Sequence, residues 1–149
     1  MSAPVDIDGV ERGLRMRAFL AVESLLRMLR AAVDAFGDLD SAMIYLTVVA
    51  ASAGAGARDP EFRALFDTAP LPDEAFRPVS RRAISLATGL PRETVRRKIA
   101  RLVAEGHLIE EADGVRAPSN TIMRRGNLAF ARDLIRELER GAAIVGRAT

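Results

Sequence analysis

The residues with the clearest chemical purpose are the arginines and the lysine between positions 77 and 101. Eight basic residues stand in this block against one acid, Glu93. The chain before the block carries seven basic and twelve acidic residues, and the chain after it carries seven of each. A net charge of +2 for the 149 residues therefore hides a block of +7. Such a block attracts phosphate groups and indicates a nucleic acid as the partner.

Four side chains near the start of one predicted helix suit the edges of base pairs. Arginine can donate two hydrogen bonds to O6 and N7 of guanine, and a carboxylate can accept one from N4 of cytosine. The predicted base-contacting residues are Arg92, Glu93, Arg96 and Arg97. Two other interpretations stay open. Glu93 in a first helical turn favours the helix dipole and can pair with Arg97, and the arginines can form a solvated basic face.

A second set of residues is predicted to contact the DNA backbone. Arg81 and Arg82 stand at the start of the first helix of a pair, where phosphates are nearer than bases. Lys98 lies at a helix position that is often apolar, so its stem is expected to pack while its charge reaches solvent. Arg116 is the one basic residue of a predicted hairpin whose other charged residues are acidic. The full set is Ser80, Arg81, Arg82, Thr94, Lys98, Arg101 and Arg116.

Local signals between positions 80 and 105 predict the two helices that position these residues. Ser80 is a good N-cap, and Gly89 marks a sharp turn in which positive φ is cheap only for glycine. Pro91 suits the first position of a second helix or the residue just before it. The second helix turns an apolar face inward at spacings of four, seven and eight residues, formed by Val95, Ile99, Leu102 and Val103.

A hairpin is predicted after the second helix. Its strands are His107–Glu111 and Val115–Ala117, joined by Ala112-Asp113-Gly114, because Asp-Gly between β-compatible runs is a strong hairpin signal. His107 is interpreted as a structural residue at the start of the first strand. Helix, turn, helix and hairpin in this order form the layout of a winged helix-turn-helix. The predicted fold class is mainly α with a small β-hairpin wing, flanked by N- and C-terminal helices.

Three further helices are predicted before this module. The first is long and covers Val10–Phe36, with Gly37 at its end. The second starts from a cap at Ser41 or Asp40 and runs to about residue 53, and its apolar character predicts burial. A short third helix covers Asp59–Phe66, because Asp-Pro is a typical helix start.

One helix is predicted after the module. Ser119 is its expected cap, Thr121–Arg140 its approximate range and Gly141 its end. The predicted segments are therefore a disordered N-terminus (1–9), a helical dimerisation segment (10–67), a linker (68–78), the winged module (79–118), the C-terminal helix (119–141) and a tail (142–149).

The first and last helices are predicted to form a homodimer. The apolar stripe of the long first helix is broader than one neighbouring helix usually covers, and helix-turn-helix proteins commonly bind two half-sites as symmetric dimers. The predicted interface residues are Leu14, Ala18, Val22, Leu25, Leu29, Phe130, Leu134 and Leu138. The alternative is a monomer in which these helices form an intramolecular bundle. The sequence leaves open whether an unknown small-molecule effector binds between them.

Composition excludes several other classes of function. The chain has no cysteine, so disulfides and Cys-ligated zinc are excluded, and one histidine cannot build a His-rich metal site. No nucleophile–base pair or phosphate-cradling glycine loop is found, so we expect no catalytic residue, no metal and no cofactor. No signal peptide is visible, and the uncharged stretch 41–57 is half Ala, Gly or Ser, so a buried helix is favoured over a membrane span. The expected location is cytoplasmic and nucleoid-associated.

The second helix and the residues after it resemble a known family of regulators. The run Leu90-Pro91-Arg92-Glu93-Thr94-Val95-Arg96-Arg97, followed by Glu105-Gly106-His107-Leu108-Ile109, is similar to the recognition helix of the catabolite-activator (Crp/Fnr) group of bacterial winged-helix transcription factors. In that group two arginines and a glutamate contact base pairs, which implies base contacts for Arg92, Glu93 and Arg97 here. The resemblance covers about 40 of the 149 residues.

The rest of the chain departs from that group. The group's β-rich cyclic-nucleotide domain has no counterpart upstream, and the flanking helices are more similar to MarR-type regulators, whose terminal helices form the dimer. Together these features predict a sequence-specific, double-stranded DNA-binding transcriptional regulator with helix 91–105 in the major groove. The alternative is a winged-helix module that binds protein in a larger assembly, because a fold does not fix a function.

Overall fold

The computed structural model describes residues 13–54, 56–66, 68, 71–121 and 124–147. This part of the chain is mainly helical and contains one two-stranded antiparallel hairpin, which confirms the predicted mixture of helices and a small hairpin. The helices are α1 (Leu14–Phe36), α2 (Leu39–Gly54), α3 (Pro60–Phe66), α4 (Arg81–Thr88), α5 (Arg92–Ala104) and α6 (Arg125–Arg147), and the strands are β1 (Ile109–Glu111) and β2 (Gly114–Arg116).

The first helix ends where the sequence predicts. Gly37 adopts φ 88°, and its N–H donates to the carbonyl of Val33 at 2.7 Å. The predicted start at Val10 lies outside the described residues. The apolar stripe is continuous along α1, but only its C-terminal end is covered: Phe36 is fully buried, whereas Val22 and Leu25 stay about half exposed.

The second helix is capped by a residue other than those predicted. Asp38 accepts hydrogen bonds from the N–H of Ser41 at 2.8 Å and from its hydroxyl at 3.0 Å, so the cap is neither Ser41 nor Asp40. The cap moves because α2 begins at Leu39, two residues after Gly37. The helix buries Ile44, with other residues, but it is not buried all round, because Met43 and Leu46 are partly exposed. Among the helices of the described residues, none combines the length and apolar content that a membrane crossing needs.

A single core joins α2 to the helix pair α4 and α5, so the segments predicted as residues 10–67 and 79–118 share their buried residues. The fully or nearly buried residues of this core come from all the long elements: Phe36, Ile44, Tyr45, Val48, Ile84, Val95, Ile99, Leu102, Leu108, Val115 and Phe130.

Residues 71–78, within the predicted linker 68–78, pack against the rest of the protein. Leu71 and Phe76 are buried together with Ala117 in a second, smaller core, and a 3₁₀ turn spans Asp73–Ala75. The backbone N–H of Arg77 donates to the carbonyl of Ser52 at 3.3 Å. The segment therefore packs along α2 and leads directly into α4.

The hairpin is tied to the residue just before α4. β1 and β2 pair antiparallel with Glu110 opposite Val115, and Val79 bridges to Val115 through backbone hydrogen bonds of 2.7 and 3.0 Å. Gly114 lies so close that a Cβ there would be 2.2 Å from the carbonyl oxygen of Val79. The first strand starts at Ile109 rather than His107, because the N–H of His107 bonds the carbonyl of Leu102 at the end of α5.

The last helix differs from its prediction at both ends. It begins at Arg125, so Ser119 is not its cap, and it continues through Gly141 to Arg147, so residues 142–147 are not a tail. Gly141 lies inside the helix, where it allows a close packing contact. A Cβ at this position would lie 2.9 Å from Oγ of Ser24 and 3.1 Å from its Cβ, so glycine lets α1 and α6 approach closely.

Replacing Gly141 by valine is expected to lower the free energy of unfolding by about 1–3 kcal/mol, because the side chain would be forced against Ser24. This loss should outweigh the gain in helix propensity over glycine, which is less than about 1 kcal/mol. The measurement is chemical denaturation followed by circular dichroism. Gly126→Ala is the matched control, since its Cβ would meet no described atom within 4 Å. Equal stability of the two variants would show that α1 and α6 are not in close contact.

Candidate nucleic-acid interface

The turn between α4 and α5 is held by hydrogen bonds of its own residues. Oγ of Ser80 accepts from the N–H of Ala83 at 3.1 Å, which confirms the predicted cap. Gly89 adopts φ 71°, as predicted, and its N–H donates to the carbonyl of Ser85 at 2.9 Å. The hydroxyl of Ser85 then donates to the carbonyl of Leu90 at 2.7 Å. These bonds fix the direction in which α5 leaves the turn.

The inward face of α5 is buried as its spacing predicts. Val95, Ile99 and Leu102 have no exposed surface, and Pro91 stands just before the first helical residue. Burial of this face points the opposite face toward solvent. All four predicted base-contacting residues are exposed there, in the first two turns of α5: Arg92, Glu93, Arg96 and Arg97. Thr94, by contrast, is half-buried.

Glu93 is paired with Arg96 rather than Arg97. Nε and Nη2 of Arg96 donate to the two carboxylate oxygens at 3.0 and 2.6 Å, which is a bidentate arrangement. These hydrogen bonds and the charge of Arg96 lower the pKa of Glu93, and the same hydrogen bonds and the charge of Glu93 raise the pKa of Arg96. The charge of Arg97 makes a smaller contribution to the lower pKa of Glu93. A nucleic acid would therefore meet Glu93 as a carboxylate with an arginine already attached.

Several other cations of the basic block are paired with carboxylates, most of them distant in sequence. Arg81 on α4 pairs with Glu110 on β1, Lys98 pairs with Asp38 at 2.7 Å, and Arg101 pairs with Glu105 at 2.8 Å and with Asp38 at 3.2 Å. Lys98 thus turns its charge toward the α1–α2 turn instead of toward solvent. Four arginines of the block form no ion pair with any described residue: Arg77, Arg82, Arg92 and Arg97.

Arg116, which the sequence predicts to contact the DNA backbone, is buried rather than exposed. The residue is only 8% exposed. Its guanidinium pairs with Glu111 and lies 3.4 Å from Oδ1 of Asp73. A hydrogen bond with Ser119, followed by the charge of Arg116, holds the pKa of Asp73 below its usual value. The guanidinium of Arg116 therefore connects the hairpin to the 3₁₀ turn, whereas the sequence predicts that it contacts DNA.

Asp38 connects three elements at the base of α5. Burial alone would raise the pKa of this carboxyl. Hydrogen bonds from Lys98 and from the N–H and hydroxyl of Ser41, together with the charge of Lys98, outweigh that effect and lower the pKa to about 2. Nη2 of Arg101 also donates to the carbonyl of Phe36 at 3.4 Å, so the last turn of α1 contacts α5 through the same group of residues.

The low pKa of Asp38 predicts an acid-dependent loss of stability. The folded value of about 2 lies below the ordinary 3.8, so the stabilisation is present above 3.8 and is lost as the pH falls toward 2. Between about pH 5 and pH 2 the unfolding free energy should fall more steeply for wild type than for Asp38→Asn. Urea denaturation at each pH measures both curves. Parallel curves would show that the carboxylate is not held by its cations.

The predicted dimer residues divide into two groups. Phe130 is not an interface residue, because it is buried in the core with its ring edge-on to Phe36 at a centroid distance of 5.3 Å. Leu134 is partly buried against the same core. The others are exposed: Leu14, Ala18, Val22, Leu25, Leu29 and Leu138. Met16, Phe19, Leu26 and Ile135 add to the exposed apolar surface of α1 and α6.

A groove of about 690 Å³ lies between α1 and α6. Ala31 and Phe130 lie in it, and charged residues of both helices line it, among them the ion pair of Arg27 with Glu137 at 2.7 Å. The groove gives a small-molecule effector room, and binding of one stays a prediction. His107 has the structural role expected, since its ring packs edge-on against Phe36 and Tyr45.

Sequence reasoning missed Asp38 and Glu110 as partners of the basic block. Asp38 is a favourable N-cap residue three positions before Ser41, so its capping role had a local signal. Its contact with Lys98 had none, because the two residues are 60 positions apart. No protein-family model, curated protein or solved structure matches the chain. The function must therefore be argued from the geometry and charge of its own residues.

Proposed function

We propose that this protein is a winged helix-turn-helix regulator that binds double-stranded DNA in a sequence-specific way, with α5 in the major groove. The order of elements supports the proposal: α2, the strand-like residue Val79, α4, α5 and the hairpin follow one another and share one core. The observation that carries it is the two-sided character of α5. One face is fully buried, and the other presents Arg92 and Arg97, which form no ion pair with a described residue.

The charges on α5 suit recognition of bases as well as phosphates. Arg92 and Arg97 are exposed, and each can donate two hydrogen bonds to guanine. The Glu93–Arg96 pair offers an acceptor for cytosine N4, and a helix that bound only phosphate would gain nothing from an acid there. Phosphate contacts then supply affinity, whereas the first two turns of α5 supply discrimination.

The same proposal includes a homodimer through α1 and α6. Seven large apolar side chains of α1 are 38–61% exposed, among them Phe19, Val22 and Leu25. A contiguous apolar surface of this kind is typical of an interface, and a stable one buries about 800 Å² per partner. A second copy related by a two-fold axis would cover the face and place two α5 helices on one DNA duplex.

The exposed face of α1 also favours a second candidate function. A partner protein could cover it as well as a second copy could, and the chain would then be an interaction module without sequence-specific DNA binding. Replacing charged residues of α5 distinguishes the two candidate functions. An interaction module that docks through α1 keeps its partner when Arg92 and Arg97 are replaced, whereas a DNA-reading protein loses its site.

The decisive experiment captures fragmented genomic DNA from the source organism with wild type, Arg97→Ala and Arg132→Ala, and sequences it. Arg132 is an exposed arginine of α6, so this control removes the same charge elsewhere. We expect wild type and Arg132→Ala to enrich a short inverted repeat. Arg97→Ala should bind it less tightly by about 1–3 kcal/mol and relax one base position in each half-site. No enrichment, or equal enrichment by all three proteins, would refute base reading by α5.

A further inference from the structure

The turn between α1 and α2 is attached to α5 by a small polar cluster, which we call the Asp38 clamp and which consists of Asp38, Lys98 and Arg101. Oδ2 of Asp38 accepts from Nζ of Lys98 at 2.7 Å and from Nη1 of Arg101 at 3.2 Å. The two cations are three positions apart on α5, so they lie on one face of that helix. The clamp thus holds one side of α5 over about one turn.

The clamp is built to be stiff. The side chain of Lys98 is 18% exposed and that of Asp38 is 32% exposed, so the pair is less screened than an ion pair on an open surface. Asp38 also caps α2, and this hydrogen bond holds the carboxylate in place independently of the two cations. Gly37 is pressed against the clamp, because a Cβ there would lie 2.5 Å from Nη2 of Arg101.

The position of the clamp relates α5 to the helix that carries the exposed apolar face. Only Gly37 and Asp38 separate α1 from α2, and Phe36 at the end of α1 is buried in the core beside α5. In a dimer formed through α1 and α6, the distance and angle between the two α5 helices depend on how each α5 is fixed to its own α1. Half-sites about 34 Å apart tolerate little variation in that geometry.

We infer that Asp38 is a positioning residue for DNA recognition: through Lys98 and Arg101 it fixes α5 relative to α1 and thereby sets the half-site spacing that the dimer accepts. This inference rests on the proposed function. A residue that only stabilised the fold would change the amount of active protein, whereas this role changes which spacing is preferred.

The clamp has a second consequence that a merely structural role lacks. It withholds two cations from phosphate, although both belong to the basic block. Removing the carboxylate charge releases Lys98 and Arg101 toward the DNA. The logarithmic dependence of affinity on salt should then become steeper, by up to about one unit for each released cation that reaches a phosphate.

The test compares wild type with Asp38→Asn. Asparagine caps a helix about as well as aspartate, so the variant keeps the start of α2. It loses the charge and the second acceptor oxygen, on which Lys98 and Arg101 converge. Asp40→Asn is the matched control, because Asp40 lies in the first turn of the same helix and forms no ion pair with a described residue. Each protein is offered the inverted repeat enriched from genomic DNA, with the two half-sites separated by every spacing within five base pairs of the natural one.

The expected result is a sharp spacing preference for wild type and Asp40→Asn, and a broad one for Asp38→Asn. The ratio of binding at the best spacing to binding at its neighbours should fall about fivefold or more, within the usual size of coupling between sites. Binding to a single half-site at low salt should not weaken. Lys98→Met combined with Arg101→Met removes the same ion pairs from the other side and should broaden the preference even if Asp38→Asn does not fold.

The outcomes separate this inference from the proposed function. If wild type enriches no inverted repeat, the proposed function fails and the inference falls with it. If wild type shows one sharp spacing and the folded clamp variants keep the same spacing profile and salt slope, the inference is overturned while the proposed function stands. A broadened profile in both clamp variants, with the Asp40→Asn profile unchanged, supports the clamp as the element that sets spacing.

Discussion

Raising the salt concentration from 50 to 200 mM is expected to weaken binding of the wild-type protein to its DNA site by about 10³–10⁵-fold. The expected size follows from the positive charge that the arginines without an ion pair bring to the duplex. Arg77, Arg82, Arg92 and Arg97 form no ion pair with a described residue, so a dimer brings eight such charges, whether their hydrogen bonds go to a base or to a phosphate. The expected loss of affinity corresponds to about 6–10 neutralised phosphates.

Fluorescence anisotropy with a labelled duplex gives the slope of log affinity against log salt. Arg82→Ala should make the slope shallower by about one for each copy bound, and it should weaken binding to all sequences alike, since Arg82 lies at the start of α4 and is assigned to phosphate. Arg132→Ala on α6 should leave the slope unchanged. A wild-type slope shallower than about −3 would mean that the basic block does not neutralise a phosphate backbone, and DNA binding would have to be abandoned.

The turn between α4 and α5 and the hairpin could be predicted because their signals are local. Ser80 caps α4 by accepting a hydrogen bond from the N–H of Ala83, three positions later. Gly89 adopts the positive φ of the turn that follows α4, and Asp113-Gly114 closes a hairpin of a few residues. The buried face of α5 repeats at helical spacing, and its neighbours do not change that pattern. These features depend on backbone geometry over a few residues, which a sequence displays directly.

The charges available at the surface could not be predicted in the same way. The sequence shows a block of +7, but the carboxylates of Asp38 and Glu110 lie outside it and reach into it through contacts over 60 and 29 positions. Arg116 looks like a hairpin residue facing a groove, and it is buried because Glu111 and Asp73 lie on both sides of it. Ion pairing of this kind depends on packing between elements, so counting residues overestimates the free charge.

Small residues were misinterpreted for a related reason. A glycine after a long apolar pattern usually ends a helix, and this is true of Gly37. Gly141 has the same sequence signature but lies inside α6, where Ser24 of α1 leaves no room for a side chain. The two glycines differ only in the residues that pack against them, and the sequence near each glycine does not show which residues these are.

Placing charge on the exposed face of α1 is expected to have the second large effect. Val22 and Leu25 are 53% and 50% exposed, so replacing both by glutamate should leave the fold of a single copy intact. In a symmetric dimer the four new carboxylates would be brought together and desolvated, which opposes association. The double variant should therefore be monomeric, and its affinity for the inverted repeat should fall by about 10²–10⁴-fold, the usual gain from linking two binding units.

Sedimentation velocity measures the oligomeric state, and anisotropy measures the affinity for duplexes with one and with two half-sites. Leu65→Glu is the control, because Leu65 is also 53% exposed but belongs to α3, which is not part of the proposed interface. The loss should appear only with two half-sites, since each α5 is unchanged. If wild type is already monomeric, the exposed apolar face of α1 does not form a homodimer, and a different protein would be its binding partner. If the charged variant is monomeric and still binds two half-sites as tightly as wild type, DNA recognition does not depend on the dimer, and the half-sites are occupied independently.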